Sequence, residues 1–125
     1  MLFRSALLDQ IAALLEGAGA EPPSVDELTA KFGPRTPALL RLLERAKRAV
    51  GVSPERYYGV ESLRALERRL AALTNTNGKF TASQIREGLG ISRKYLIPFL
   101  EYCDRVGHSR REGDFRTFRW PASLG

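Results

Sequence analysis

The sequence predicts a mainly α protein with small β-hairpins, organised as two winged-helix (winged helix-turn-helix) domains in tandem. Three observations carry that reading. Each half of the 125 residues shows three helical stretches followed by a hairpin pattern. The halves share one apolar and capping pattern at a constant offset. Basic residues gather on the third helix and hairpin of the second half.

The repeat reads without a gap at the spacing that separates Ser24 from Thr81. It aligns Glu27 with Gln84, Leu28 with Ile85, Gly33 with Gly90, Leu39 with Leu96, Leu43 with Leu100 and Ala46 with Cys103. Upstream the spacing shortens by two, matching Leu8, Ile11 and Leu15 with Leu63, Leu66 and Leu70. Domains are therefore expected at residues 1–59 and 60–125. Each is at the small end of what folds alone, so packing between them is expected.

Within the first unit, Leu7, Leu8, Ile11, Leu14 and Leu15 form one face of a helix near residues 2–17, which Gly17 ends. Ser24-Val25-Asp26-Glu27 is a capping box, where a hydroxyl and a carboxylate satisfy backbone N–H groups that lack helical partners. The helix it opens ends near Phe32-Gly33. Thr36-Pro37 starts the third helix, because proline is tolerated where no intrahelical N–H bond is needed. Val50-Gly51-Val52 and Tyr57-Tyr58 flank a turn at Ser53-Pro54.

The second unit repeats the plan. A helix covers roughly residues 60–74, and Thr81-Ala82-Ser83-Gln84 is a second capping box. Ser92 opens the third helix, Gly107 closes it, and a hairpin turns at Glu112-Gly113-Asp114. No linker rich in Pro, Gly or Ser divides the units, so the helix over 60–74 should couple them closely.

Composition narrows the function classes. At 43% hydrophobic and 27% charged residues the chain has the make-up of a globular protein. No run approaches the roughly 20 apolar residues that span a bilayer. The start meets Asp9 early and lacks a cleavage site of small residues, so no signal peptide and no membrane partner are expected. Cytoplasmic residence is the simplest expectation. One cysteine excludes an internal disulfide, and no metal-ligand spacing, catalytic triad or carboxylate pair occurs. Gly78-Lys79 lacks the rest of a phosphate-binding loop. Neither catalytic chemistry nor a cofactor is expected of this chain.

The net charge of +6 is unevenly spread. Residues 1–59 carry eight basic and seven acidic groups, whereas residues 79–125 carry nine and five. A basic end on a near-neutral remainder points to a polyanion read by one half. The candidate contacts are Ser92, Arg93, Lys94 and Tyr95 at the start of the third helix, and Arg110, Arg111 and Arg116 on the hairpin. Cations at a helix N-terminus oppose the helix dipole unless an anion arrives, and a phosphate would also accept the free N–H groups there. The plainer alternative is a solvated face. Tyr95 can pack in the core or stack on a base, and both remain open. Strand alternation sends Arg110 and Arg111 to opposite faces, and arginines on a wing can also guard a sheet edge. Cys103 is expected to be buried and inert, His108 to be structural, and Tyr57, Tyr58, Phe115, Phe118 and Trp120 to pack hairpins onto helices. The first unit reads as a spacer or docking module.

Phe80-Thr81-Ala82-Ser83-Gln84-Ile85-Arg86, Ser92-Arg93-Lys94-Tyr95, Leu100-Glu101-Tyr102-Cys103-Asp104-Arg105 and Arg110-Arg111-Glu112-Gly113-Asp114 resemble the C-terminal region of the bacterial selenocysteine-specific elongation factor family, SelB. A looser likeness runs through Ala20-Glu21-Pro22-Pro23-Ser24. The resemblance implies a translation factor whose last winged helix binds an mRNA hairpin, the SECIS element, that recodes a UGA stop codon. It implies partners too: the ribosome, and a GTPase and tRNA-binding part of the same factor. Those parts are missing here, so a fragment or a stand-alone piece is expected, acting as a monomer. On the resemblance, residues 60–125 hold the hairpin, with Ser92, Arg93, Lys94, Arg110, Arg111 and Arg116 against it.

RNA suits the residues, since its deep major groove excludes a recognition helix and leaves loops and bulges to be read. A DNA-binding winged-helix transcriptional regulator is the first rival, although such proteins usually dimerise and no separate dimerisation helix is evident. A protein-interaction module is the second.

Overall fold

Local signals place most of the elements. The structure, a computed structural model, describes residues 2–124, with side chains from Ala6 onward. The side chains of residues 1–5, at the chain start read against a signal peptide, lie outside the described residues. The order is α1 (Leu2–Ala18), α2 (Val25–Phe32), α3 (Thr36–Arg45), β1 (Ala49–Ser53), β2 (Arg56–Gly59), α4 (Val60–Leu73), β3 (Phe80–Thr81), α5 (Ala82–Leu89), α6 (Arg93–Val106), β4 (Ser109–Glu112) and β5 (Phe115–Phe118), then a 3-10 turn at Ala122–Leu124. Three helices and a hairpin thus occur twice. Among the described residues, no helix is long and apolar enough to cross a membrane.

Both capping boxes form. Ser24 Oγ accepts the Glu27 N–H at 3.1 Å, and Glu27 Oε1 accepts the Ser24 N–H at 3.0 Å. Thr81 and Gln84 exchange the same pair of bonds at 3.2 and 2.8 Å. Residues matched by the repeat do matched work: Leu28 and Ile85, Leu39 and Leu96, and Leu43 and Leu100 are all buried.

The chain divides into two compact units, Met1–Leu63 and Arg64–Gly125. That edge falls a turn inside α4, whereas the sequence suggests residue 59. A carboxylate from α1 reaches the first turn of α4. Glu16 accepts the N–H groups of Glu61 and Ser62 at 3.1 and 2.8 Å, while Ser62 Oγ donates to the Glu16 carbonyl. It caps the start of α4 from a distance and holds that turn in the first unit. A side chain on Gly59 would strike the Glu16 carboxylate, so glycine allows the approach.

The first unit buries Ile11, Leu15, Leu28, Leu40 and Leu43, and its wing is the antiparallel pair β1–β2. The second buries Leu66, Leu70, Ile85, Leu96, Phe99 and Leu100. Its wing is a three-stranded sheet in the order β3-β5-β4. β3 is not evident from sequence: two residues cannot show an alternation, and Thr81 also caps α5. Pairing with Arg116 and Phe115 makes it a strand.

The third helices differ in length, 10 residues in α3 and 14 in α6. Each closes at a residue of positive φ, Lys47 (60°) and Gly107 (89°). In both, the residue after it donates to the carbonyl five residues before the donor: Arg48 to Leu43 at 2.8 Å and His108 to Cys103 at 2.9 Å. The longer helix keeps Cys103 in its core, whereas Ala46 lies past the end of α3 and is exposed. α6 also runs through Pro98, which cannot donate to the Lys94 carbonyl one turn back.

Candidate nucleic-acid interface

Gly90, in the left-handed conformation, ends α5, and Ser92 in extended backbone begins α6. The Ser92 carbonyl accepts from the N–H groups of Tyr95 and Leu96 at 3.1 and 3.0 Å. Its hydroxyl, expected to cap the helix, makes no such bond. Ser92, Arg93 and Lys94 are exposed, because Leu96, Phe99, Leu100 and Cys103 commit the opposite face to the core. Tyr95 is half-buried, with Lys94 Nζ 5.3 Å from its ring centre.

Arg93, Ile97 and Glu101 follow one another by single turns along α6 and form one wall of an open depression of about 510 Å³. Thr81 and Ser83, at the start of α5, contribute hydroxyls to it. Arg111 and Asp114 from the wing close the other side, with Arg116 beneath. Arg93 and Arg111, far apart in sequence, thus share one concave surface. The Arg111 Nε donates to the Gly113 carbonyl at 3.0 Å, which steadies the guanidinium near the wing tip.

The wing register separates the other arginines. Arg111 pairs with Arg116, and Ser109 with Phe118, so these four share the inward face. Arg110 pairs with Thr117 on the outward face and does not join Arg93 and Arg111 at the depression.

Arg116, a candidate phosphate contact, is engaged within the fold although it also lines the depression. Its side chain is 8% exposed and donates to Asp104 from Nε at 3.1 and 3.2 Å and from Nη2 at 2.9 Å. The physical reason is its place on the inward face, where a charge needs a partner. Asp104 also accepts from Ser109 Oγ. Partial burial alone would raise the Asp104 pKa, but the bonds from Arg116 and Ser109, with the nearby guanidinium charge, hold it below the usual carboxylate value.

Asp104 and Glu101 stand in a motif that carries the family likeness, but neither was expected at the site. A signal for Asp104 was available, because an acid in the last turn of a helix opposes the dipole and calls for a cation. The spacing of Arg116 from Phe118 likewise marks it as inward.

Burial pushes the Cys103 thiol pKa well up, with the neighbouring acids Glu67 and Asp104 adding to the rise. His108 Nε2 lies 2.9 Å from Glu67 Oε2, and its ring packs against Trp120 with centres 4.9 Å apart. Trp120 stacks on Phe118 and donates from Nε1 to Thr74 Oγ1 at 3.0 Å. Tyr58 is buried, but Phe115 is 44% exposed on the outward face of the wing, contrary to the packing role expected of it. In the first unit, Arg35, Arg41 and Arg45 are exposed, and Arg48 pairs with Asp9 at 2.9 Å.

The family model described as "Elongation factor SelB, winged helix" matches residues 72–118. The selenocysteine-specific elongation factor of Escherichia coli is 31% identical over 104 residues, covering 81% of this chain and 17% of the relative. That of Desulfomicrobium baculatum is 30% identical over 108 residues, covering 82% and 17%. The chain therefore spans about a sixth of the length of these curated relatives. The mRNA-binding domain of elongation factor SelB from E. coli, solved in complex with SECIS RNA, superimposes with a TM-score of 0.76 at 28% identity, covering 94% of this chain and 97% of that one. A bacterial selenocysteine-specific elongation factor, EF-Sec, gives 0.75 at 28% identity, covering 91% and 18%. By sequence and by fold, the chain belongs with the C-terminal winged-helix region of the selenocysteine-specific elongation factor, SelB.

Proposed function

We propose that this chain binds an mRNA hairpin of the SECIS type through its second winged helix, and so ties a selenocysteine codon to a translation factor. The observation that carries the reading is the shared depression, which brings Arg93 of α6 and Arg111 of the wing to one polar, concave surface beside the exposed Ser92 and Lys94. The SECIS complex of the E. coli relative, which aligns along nearly the whole chain, supports the same reading. A short helix start and a wing suit a loop or bulge, whose bases and phosphates approach from several directions. Lys94 and Arg93 supply charge, and Ser92, whose hydroxyl is not used as a cap, supplies a neutral donor and acceptor.

On this reading the chain works by binding alone and as a monomer in the cytoplasm. The GTPase and tRNA-binding part of the factor, and the ribosome, do their work elsewhere. Tyr95 contributes the edge of its ring beside Lys94, and Arg110 at most an outlying phosphate contact.

A selection tests it. A library of RNA stem-loops with randomised loops is passed over the immobilised chain, and the winner is compared with duplex DNA by gel shift at one salt concentration. One stem-loop family should emerge and bind more tightly than the duplex. Tighter binding of duplex DNA, or no enriched stem-loop, would overturn the proposal.

A further inference from the structure

We infer that Asp104 is a positioning residue for the RNA-binding surface: it touches no RNA, and by gripping both wing strands it sets Arg111 opposite Arg93. The inference rests on the hairpin-binding reading above. Asp104 stands in the last turn of α6, and its carboxylate takes Ser109 at the start of β4 and Arg116 in the middle of β5. Arg116 lies between Phe80 of β3 and Arg111 of β4 in the sheet register. One side chain of the helix that carries Arg93 therefore holds the two strands that carry Arg111 and its neighbour. The two-point fork of Arg116 on Asp104 fixes an angle as well as a distance, which a single ion pair does not.

The first unit supports the same assignment independently. Glu44 stands three residues before Lys47, as Asp104 stands three before Gly107, and it too reaches from the third helix to the wing. Its Oε2 accepts the Gly51 N–H of β1 at 2.9 Å. In both units an acid at the unfavourable end of the third helix is the strap between helix and wing.

Charge alone predicts the opposite of positioning. Asp104 is a negative group near a surface meant for phosphate, so neutralising it should tighten RNA binding by simple electrostatics. If it positions the wing, neutralising it should weaken binding. The test uses the full chain and the stem-loop that wins the selection. Asp104→Asn, Arg111→Ala and the double variant are titrated across a range of salt. Asp104→Asn should weaken binding about tenfold and lower the slope of log affinity against log salt by roughly one phosphate contact, as Arg111→Ala does. The double variant should be no more than about twofold weaker than Arg111→Ala alone, because both changes remove the same contact.

Mere loss of folded protein would lower affinity and leave the slope unchanged, and that result overturns the inference. So do tighter binding by Asp104→Asn, unchanged binding, or additive losses. If Asp104→Asn loses its circular dichroism signal, Arg116→Lys, which keeps an ion pair without the fork, replaces it in the same cycle under the same criteria. Failure of the wild-type chain to enrich any stem-loop removes the hairpin reading and this inference together. A bound stem-loop indifferent to Asp104 removes only the inference.

Discussion

Arg93 and Arg111 stand on one surface, while Arg110 looks away from it, and this difference has a measurable consequence. Arg93→Ala or Arg111→Ala should each cost about 1 kcal/mol or more of hairpin affinity and reduce the salt slope by roughly one contact, with the fold unchanged. Arg110→Ala should cost clearly less, and fluorescence anisotropy against salt checks all three. Asp104 adds a dependence on acid. Its folded pKa is below the ordinary 3.8, so its pairing contributes stability that is present above that value and lost as pH falls through the folded one. The melting temperature of the wild type should therefore exceed that of Asp104→Asn near neutral pH. The gap should close as the solution is acidified below about 3.8, and thermal melts at a series of pH values would show it. Alternation along the wing already marks Arg116 as sharing a face with Phe118. Alternation separates Arg110 from Arg111 in the sequence, but it does not say which of the two faces turns inward. The partner Asp104 is twelve residues away across a turn, and only folding identifies it.

Among the elements, helix starts were the most legible, because a capping box is complete within four residues. Thr81→Ala should destabilise the chain by about 1 kcal/mol in urea, since Thr81 Oγ1 accepts the Gln84 N–H. Ser92→Ala should leave stability within about 0.5 kcal/mol, since its hydroxyl caps nothing. If the same substitution weakens hairpin binding, the hydroxyl is a contact. The two starts already differ in sequence: Gln84 answers Thr81 three residues on, whereas Tyr95 stands at that place after Ser92 and cannot complete a capping box. β3 was illegible for a different reason, being a strand only by virtue of β5 beside it. The repeat, in turn, showed the common plan but not the added residues of α6. These fall inside a helix whose apolar spacing continues smoothly past Leu100 to Cys103.

For the two units together, the division within α4 makes truncation informative. Residues 60–125 keep α4 and the whole candidate surface but lose Glu16, which caps the first turn of that helix. That piece should retain hairpin affinity to within about threefold, since no residue of the depression is removed. It should melt earlier, by the equivalent of about 1 kcal/mol for a lost helix cap. Loss of binding with an intact circular dichroism spectrum would show that the first unit contributes directly.

Apolar spacing, cap residues and turn residues, all of them short-range signals, were enough to establish two three-helix units with hairpins, their order, and the basic character of the second. They also carried the likeness to the selenocysteine elongation factor. Which arginines line the depression, which one is buried against Asp104, and what caps the first turn of α4 depended on contacts between residues remote in the chain. Local pattern cannot specify those, because a buried charge or a borrowed helix cap is satisfied by whatever partner the packed fold brings within hydrogen-bonding reach.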